Sequence, residues 1–336
     1  MAVAAIVAAA ILLAACGGSG NSNGGSSAST STTAASSAAD SLQQQYVGTI
    51  GAIGPSVVQV QSQLGLGSGI VLDNAGNVVT NDHVVGTFKH FQVTDSTGKR
   101  YAATLVGTFV PDDLAVVHIQ GGHLPPAALG DSSKLQVGDI VLAVGNPLGL
   151  QSSVTNGIVS ALGRTVSESA GVTLPDLIQT SAQINPGNSG GALVDLSGQV
   201  VGIPTLAAID PENQQQASGI GFAIPSNTVK EIAGQLISDG RVVRSNRAYL
   251  GVRLATLPSG GGVLVAGVTA NGPAAAAGLA TGDTITTIEG RQVQSIDDIS
   301  VALANLKPGE KVALGIRTPQ GSKATVTDTL GQYPGS

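Results

Sequence analysis

Residues 67–85 read GSGIVLDNAGNVVTNDHVV. Two short apolar runs, Ile70 to Leu72 and Val78 to Val79, flank Asp73 to Asn77, whose residue types suit a tight hairpin turn. β-branched runs this short, bounded by Gly, Asn and Asp, predict strands. The pattern recurs in FQVTD (91–95), YAATLVG (101–107), LAVVHI (114–119), DIVLAVG (139–145), GIVSAL (157–162), ALVD (192–195), QVVGIP (199–204) and GIGFAIP (219–225). Many short strands at close spacing, without an alternation of strands and helices, predict a mainly β sandwich or barrel.

The rest of the composition sets limits. A chain of 336 residues is long enough for two or three compact domains. Hydrophobic residues make up 42% but aromatics only 2%, so the core must be built from Val, Ile, Leu and Ala. With a net charge of −6 and 11% charged residues, neither a basic nucleic-acid footprint nor an acidic disordered tail is present, which excludes nucleic acid as an expected partner.

The lone cysteine, Cys16, ends the apolar run MAVAAIVAAAILLAAC. A bilayer span needs about 20 residues, so this run is short for a membrane helix and suits an export signal over residues 1–16. Its ending LAAC (13–16) resembles the lipobox of bacterial lipoproteins, which implies cleavage before Cys16, lipid on Cys16, and an exported protein held at the extracytoplasmic face of a bacterial membrane. No Lys or Arg precedes the run; an uncleaved anchor or a buried helix are the alternatives. One cysteine allows no intrachain disulfide. Residues 17–40, rich in Gly, Ser, Thr and Ala, read as a flexible tether. The body begins at Ser41 with a short helix stopped by Pro55.

The first large unit is expected over residues 41–240. It closes on a helix carrying Val229, Ile232, Ala233, Leu236 and Ile237 at helical spacing, with Gly240 at its end. A charged connector, 241–248, leads to a smaller unit over 249–332.

Three segments of the large unit carry chemistry when read together. His83 follows a strand in TNDHVV, Asp113 heads a strand in PDDLAVVHI, and Ser189 lies within NPGNSGG (185–191). Each alone reads as a turn or packing residue. Their order, His then Asp then Ser on a β scaffold, is the order of one catalytic triad. A serine hydroxyl needs an imidazole to take its proton, and a carboxylate on the other ring nitrogen fixes the tautomer. Glycine around Ser189 leaves the Gly187 and Ser189 amides able to bind the oxygen of a tetrahedral intermediate. Among the remaining histidines, His90, His118 and His123 show no metal-type spacing, and no cofactor or metal is expected.

With these blocks, GDSSKLQVGDIVLAVGNPLGLQSSVTNGIVSALGR (130–164), IQTSAQINPGNSGGALVDLSGQVVGI (178–203) and GIGFAIPSNTVKEI (219–232), the chain resembles the HtrA/Deg family of serine proteases from about Pro55 to Leu330. The resemblance implies a trypsin-like double β-barrel followed by an α+β PDZ domain. It carries the family's histidine onto His83, the nucleophile onto Ser189 and the aspartate onto Asp113, with Asp112 as the alternative. Where trypsin-like cleavage after Lys or Arg uses an acid, this chain has Gln183. Gln183, Ile184, Ile220, Gly221 and Phe222 are therefore expected to line a small apolar pocket suited to Val, Ala or Leu. The strand at Ile220 to Phe222 is expected to pair with the substrate backbone.

In the second unit Tyr249, Leu250, Gly251 and Val252 resemble the PDZ loop whose amides bind a C-terminal carboxylate. NGPAAAAGL (271–279), the hairpin at Glu289 and Gly290, and a helix capped by Ser295 complete the element order. The implied function is an extracytoplasmic endopeptidase acting on unfolded polypeptides, with C-terminal peptides at the PDZ unit. A chaperone-like or peptide-binding protein with minor proteolysis is the alternative. The family also implies a homotrimer, for which Tyr46 and Ile50 are candidate contacts.

Overall fold

The computed structural model describes residues 30–335 except 64, 147–152, 170–171, 186, 210–215 and 258–259. Cys16 and the expected signal lie outside the described residues. Helix α1 spans Thr30–Ile53. The expected tether therefore gives way to helix before residue 40, where AASSAAD supplies alanine, the strongest helix former, in place of glycine. Tyr46 and Ile50 are partly buried against the chain's own core, whereas Val47 is 64% exposed.

Twelve strands form two closed six-stranded barrels. The first contains β1 (Val57–Gln61), β2 (Leu66–Val71), β3 (Asn77–Thr80), β4 (His90–Thr94), β5 (Arg100–Phe109) and β6 (Leu114–Ile119), with a single-turn helix α2 (Asp82–Val85) after β3. The second contains β7 (Ile140–Gly145), β8 (Ser153–Ser169), β9 (Val172–Thr180), β10 (Ala192–Asp195), β11 (Val200–Ile209) and β12 (Gln216–Pro225). The Asp73 hairpin forms as expected: Asp73 Oδ1 accepts the amides of Ala75 and Asn77, which closes the turn between β2 and β3. Val58, Val60, Val71 and Phe91 fill the first barrel; Val141, Val159, Ile178 and Leu193 fill the second. A further cluster joins Ile70, Phe109 and Leu114 to Leu142, Ile203 and Leu236, and so locks the barrels to each other and to α3 (Ser226–Asp239).

β8 is much longer than the strand GIVSAL foretells. It pairs with β7 only as far as Ile158, and β9 pairs with β12 only from Ile178 to Thr180. Between those limits β8 and β9 pair with each other alone, through several bulges, and form a two-stranded arm.

The smaller unit has β13 (Ala248–Tyr249), β14 (Val252–Thr256), β15 (Val263–Val268), α4 (Pro273–Ala277), β16 (Thr284–Ile288), β17 (Arg291–Gln292), α5 (Ile296–Ala304), β18 (Lys311–Arg317), β19 (Lys323–Thr329) and β20 (Gly331–Gln332). Its main sheet runs β14-β15-β16-β18-β19. Ser295 and Asp298 form a capping box at α5, the exchange of side-chain and backbone bonds that satisfies the first free amides of a helix. Glu289 and Gly290 both take positive φ in the β16–β17 turn, as the sequence requires.

Several contacts among the described residues bind this unit to the barrels. Arg247 forms an ion pair with buried Asp112, donating from Nε at 2.7 Å. Tyr333 stacks edge-on against both Phe109 and Tyr249. Thr165 of the arm bonds Asn305 just past α5. Burial pushes the Asp112 carboxyl up, and Arg247 opposes that shift.

Two stability tests follow from these buried carboxylates. Removing one partner of a buried ion pair strands the other charge at a cost of about 3–5 kcal/mol. Arg247→Ala is expected to lower the denaturation midpoint sharply, and Arg247→Ala with Asp112→Leu to recover most of the loss. Asp328 is fully buried, both its oxygens lack a partner among the described residues, and burial pushes its carboxyl to about 6. A carboxyl raised in the folded state opposes folding once pH exceeds its unfolded value. Asp328→Asn is therefore expected to raise the thermal midpoint above pH 6 and leave it unchanged at pH 4.

Candidate active site

The site is assembled from both barrels. β3 ends at Thr80, Asn81 stays extended, and the turn of α2 is pinned by buried Val84 and Val85, which turns His83 outward. Asp113 enters β6 with φ of 48°, a left-handed conformation that Asp tolerates better than most residues. Its backbone carbonyl accepts Asn81 Nδ2 at 3.0 Å. The carboxylate then meets His83 twice: the backbone amide donates to Oδ1 at 3.0 Å, and Nδ1 donates to Oδ2 at 2.9 Å. Thr205, on β11, donates its hydroxyl to Oδ2 at 2.5 Å. Asp113 is only 2% exposed, and these donors satisfy oxygens that water does not reach.

Ser189 lies in the tight turn between β9 and β10. Asn188 holds that turn from inside, accepting the Asn185 amide and donating to the Gln183 carbonyl, both at 3.0 Å. Gly190 has φ of 80°, and a Cβ there would lie 2.2 Å from the Ser68 carbonyl oxygen. No larger residue fits without shifting β2. Ser68 Oγ also donates to the Gly187 carbonyl at 2.5 Å, so the first barrel orients the peptide that precedes the serine. Among the described residues no carbonyl takes up the amide of Gly187 or Ser189.

His83, Ser189, Gly187 and Ile184 line one cleft of about 670 Å³, together with Leu206, Ala207 and Ala208. Ser189 Oγ donates to the Thr205 carbonyl at 3.1 Å, and no hydrogen bond joins it to His83. Thr205 thus holds Asp113 by its side chain and Ser189 by its backbone. Burial lowers the affinity of His83 for a proton, but its bonds to Asp113 and Glu168 outweigh that and raise its pKa to about 10. Burial, with the charge of Asp113, pushes neighbouring Asp82 up to about 6. His83, Asp113 and Glu168 also bring three ligand atoms within 4.8 Å of one another, a donor set that a transition-metal ion accepts.

Other expected positions divide. Ile184 lines the cleft, while Gln183 and Ile220 face a small adjoining recess with Ala207 and Gly219. A Cβ on Gly221 would meet Ile184 at 2.3 Å, so that glycine lets the pocket wall close-pack. Phe222 is buried in the barrel core and lines neither space. Gly221 and Phe222 pair with β9 on one side and β11 on the other, so this strand has no free edge for a substrate there. The apolar pattern announces a strand but not its position within the sheet. Asp112 turns to Arg247, which leaves Asp113 as the partner of His83. In the PDZ loop Leu250 is buried, Gly251 has φ of 77°, and their carbonyls accept the amides of Ala274 and Thr269. Thr205, Asn81, Ser68 and Glu168 carry no motif of their own, and sequence reasoning missed them.

A profile of the trypsin-like peptidase domain matches residues 67–203, and one of the PDZ domain matches residues 248–326. The serine protease PepD of Mycobacterium tuberculosis is 42% identical over 300 residues, covering 83% of this chain and 64% of PepD. The periplasmic serine endoprotease DegP of Escherichia coli is 39% identical over 267 residues, covering 77% of this chain and 55% of DegP. The chain thus spans between half and two thirds of the length of these curated relatives. The solved HtrA-type protease AlgW with a decapeptide superposes with a TM-score of 0.58 at 32% identity, over 86% of this chain and 99% of that one. A serine endoprotease from Yersinia pestis superposes with a TM-score of 0.58 at 34% identity, over 86% and 98%. Likeness at this identity over nearly the whole of the solved structures, with both domain profiles in matching order, means that the chain belongs to the HtrA family of serine proteases.

Proposed function

We propose that this protein is an extracytoplasmic serine endopeptidase that cuts extended or unfolded polypeptides, with a PDZ unit that takes C-terminal peptides. The observation that carries the reading is the shared cleft: a buried, donor-rich carboxylate on His83 Nδ1 and a serine on the same wall. In this reading Asp113 fixes the imidazole so that Nε2 faces the reacting centre, and Ser189 Oγ leaves the Thr205 carbonyl to pass its proton there as it attacks. The Gly187 and Ser189 amides then serve the oxyanion. The cleft is walled by Ile184, Leu206, Ala207 and Ala208, and Gln183 offers no charge to a cationic side chain. These features favour cleavage after Val, Ala or Leu.

The names of the relatives support export, since DegP is called periplasmic. AlgW with its decapeptide supports peptide recognition here. The finer reading adds a lipid anchor on Cys16, a tether before α1, and a homotrimer with Tyr46 and Ile50, each partly buried, as candidate contacts. Among the described residues no helix is long and apolar enough to cross a membrane.

Two measurements test the chemistry. Incubated with casein, the wild type is expected to release fragments that Ser189→Ala does not, since loss of such a nucleophile costs on the order of 10⁶ in rate. Equal fragmentation by both would refute the assignment. Thr205→Val keeps the shape but takes a donor from a buried carboxylate, a bond worth about 1.5–3 kcal/mol. It is expected to lower kcat/KM about ten- to hundredfold with an unchanged circular dichroism spectrum.

A further inference from the structure

Glu168 lies near the end of β8, and its Oε1 sits 3.4 Å from His83 Nδ1. Asp113 Oδ2 stands 2.9 Å from the same nitrogen. One ligand atom from each of the three side chains lies within 4.8 Å of the others. The proposed proteolysis uses His83 and Asp113 and leaves Glu168 without a part. Zinc takes nitrogen and oxygen ligands at about 2.0–2.2 Å, and at that radius the separations of 2.9 Å and 3.4 Å open angles of about 90° and 110° at the metal. Both are ordinary for four- or five-coordinate zinc.

Three further features fit an ion here. The charge is suitable: Asp82 lies near enough to feel the charges of Asp113 and Glu168, and among the described residues no Lys or Arg lines the cleft. The buried ligand is oriented from behind, since the Thr205 hydroxyl and the His83 amide both donate to Asp113, as outer-shell groups do for a metal-binding carboxylate. Glu168 is held in place as well. Its arm is anchored by buried Leu174 and Leu177 in the shared core, by Thr165 on Asn305 and by Arg247 on the Thr173 carbonyl. The donor set is therefore preorganised, and the cleft on whose wall Glu168 is 19% exposed gives an ion its way in. An imidazole with two carboxylates suits a zinc-class ion, whereas magnesium and calcium take oxygen ligands.

We propose that His83, Asp113 and Glu168 bind a divalent ion of the zinc class, and that this ion reversibly switches off the catalytic base. The inference rests on the reading of His83 as base and Ser189 as nucleophile. A neutral imidazole carries one ring proton. When Nδ1 donates to Asp113 the proton is on Nδ1, and the lone pair of Nε2 is free to accept from Ser189. A metal bound to Nδ1 needs the lone pair of that nitrogen, so Nδ1 releases its proton to solvent and Nε2 takes one up. The ring stays neutral, but Nε2–H donates and no longer accepts. Ser189 Oγ then keeps its bond to the Thr205 carbonyl and its proton has nowhere to go.

The test uses the full chain stripped of metal by a chelator, with zinc chloride as the probe. Zinc binding is read by calorimetry in a Ser189→Ala background, where it does not depend on activity. Cleavage of a fluorogenic peptide and labelling of Ser189 by a fluorophosphonate are read with and without zinc. Zinc is expected to bind saturably, to lower kcat/KM and labelling at least tenfold, and to release both when chelator is added back; magnesium should do none of this. Each variant is compared with itself in zinc-free buffer. Glu168→Gln is expected to weaken zinc binding at least tenfold and to raise the half-inhibiting zinc concentration by the same factor, with Glu168→Asp between it and wild type. Zinc held elsewhere, as on exposed His90, would bind Glu168→Gln as tightly as wild type; that result overturns the proposal, as does zinc binding that leaves kcat/KM intact. Should Glu168→Gln fail to fold, Glu168→Ala in the same calorimetry decides it. If the zinc-free wild type neither cleaves peptide nor is labelled, the protease reading fails, while calorimetry still reports whether the three side chains hold an ion.

Discussion

The carboxylate of Asp113 sits almost wholly out of water, and a charge so placed survives only if donors surround it. Those donors come from two barrels: the His83 amide and ring from the first, the Thr205 hydroxyl from the second. Docking of the barrels and assembly of the site are consequently one event. The shared apolar cluster that joins Phe109 and Ile70 to Leu142 and Ile203 supplies the driving force, and the buried carboxylate fixes the register in which the barrels meet.

Adjacent aspartates serve opposite neighbours. Asp113 faces the imidazole; Asp112, one peptide earlier, is held by Arg247 from the root of the smaller unit. Arg247 also donates to the carbonyl of Thr173, which lies across from Ser167 on the arm that carries Glu168. The peptide before the triad's acid and the arm beside its base thus share one guanidinium. An always-charged, planar side chain with several donors is suited to hold both.

The positions of most strands, the hairpin at Asp73 and the helices at 226–239 and 296–304 are legible in local pattern, whereas the meeting of His83 with Asp113 is legible only through the order of the three segments and the family resemblance. What escaped the sequence was non-local. Thr205 looks like any strand threonine, and only the fold carries it to Asp113. Glu168 belongs to a stretch whose polar character gives no hint of a strand 17 residues long, so its approach to His83 had no signal. Phe222 lies in the core rather than the pocket, because the apolar character of GIGFAI does not tell core from cleft. Helix α1 starts before its expected position because the alanines between the serines and threonines favour helix.

The chain has no tryptophan and only four tyrosines, two of which, Tyr249 and Tyr333, lie in one edge-on stack with Phe109 across the junction of the barrels and the smaller unit. Rings fixed in an asymmetric array are the chromophores that give near-ultraviolet optical activity. The protein therefore carries its own spectroscopic gauge of that junction: detachment of the smaller unit would erase much of the tyrosine band while leaving the peptide bands untouched, with no dye or label attached.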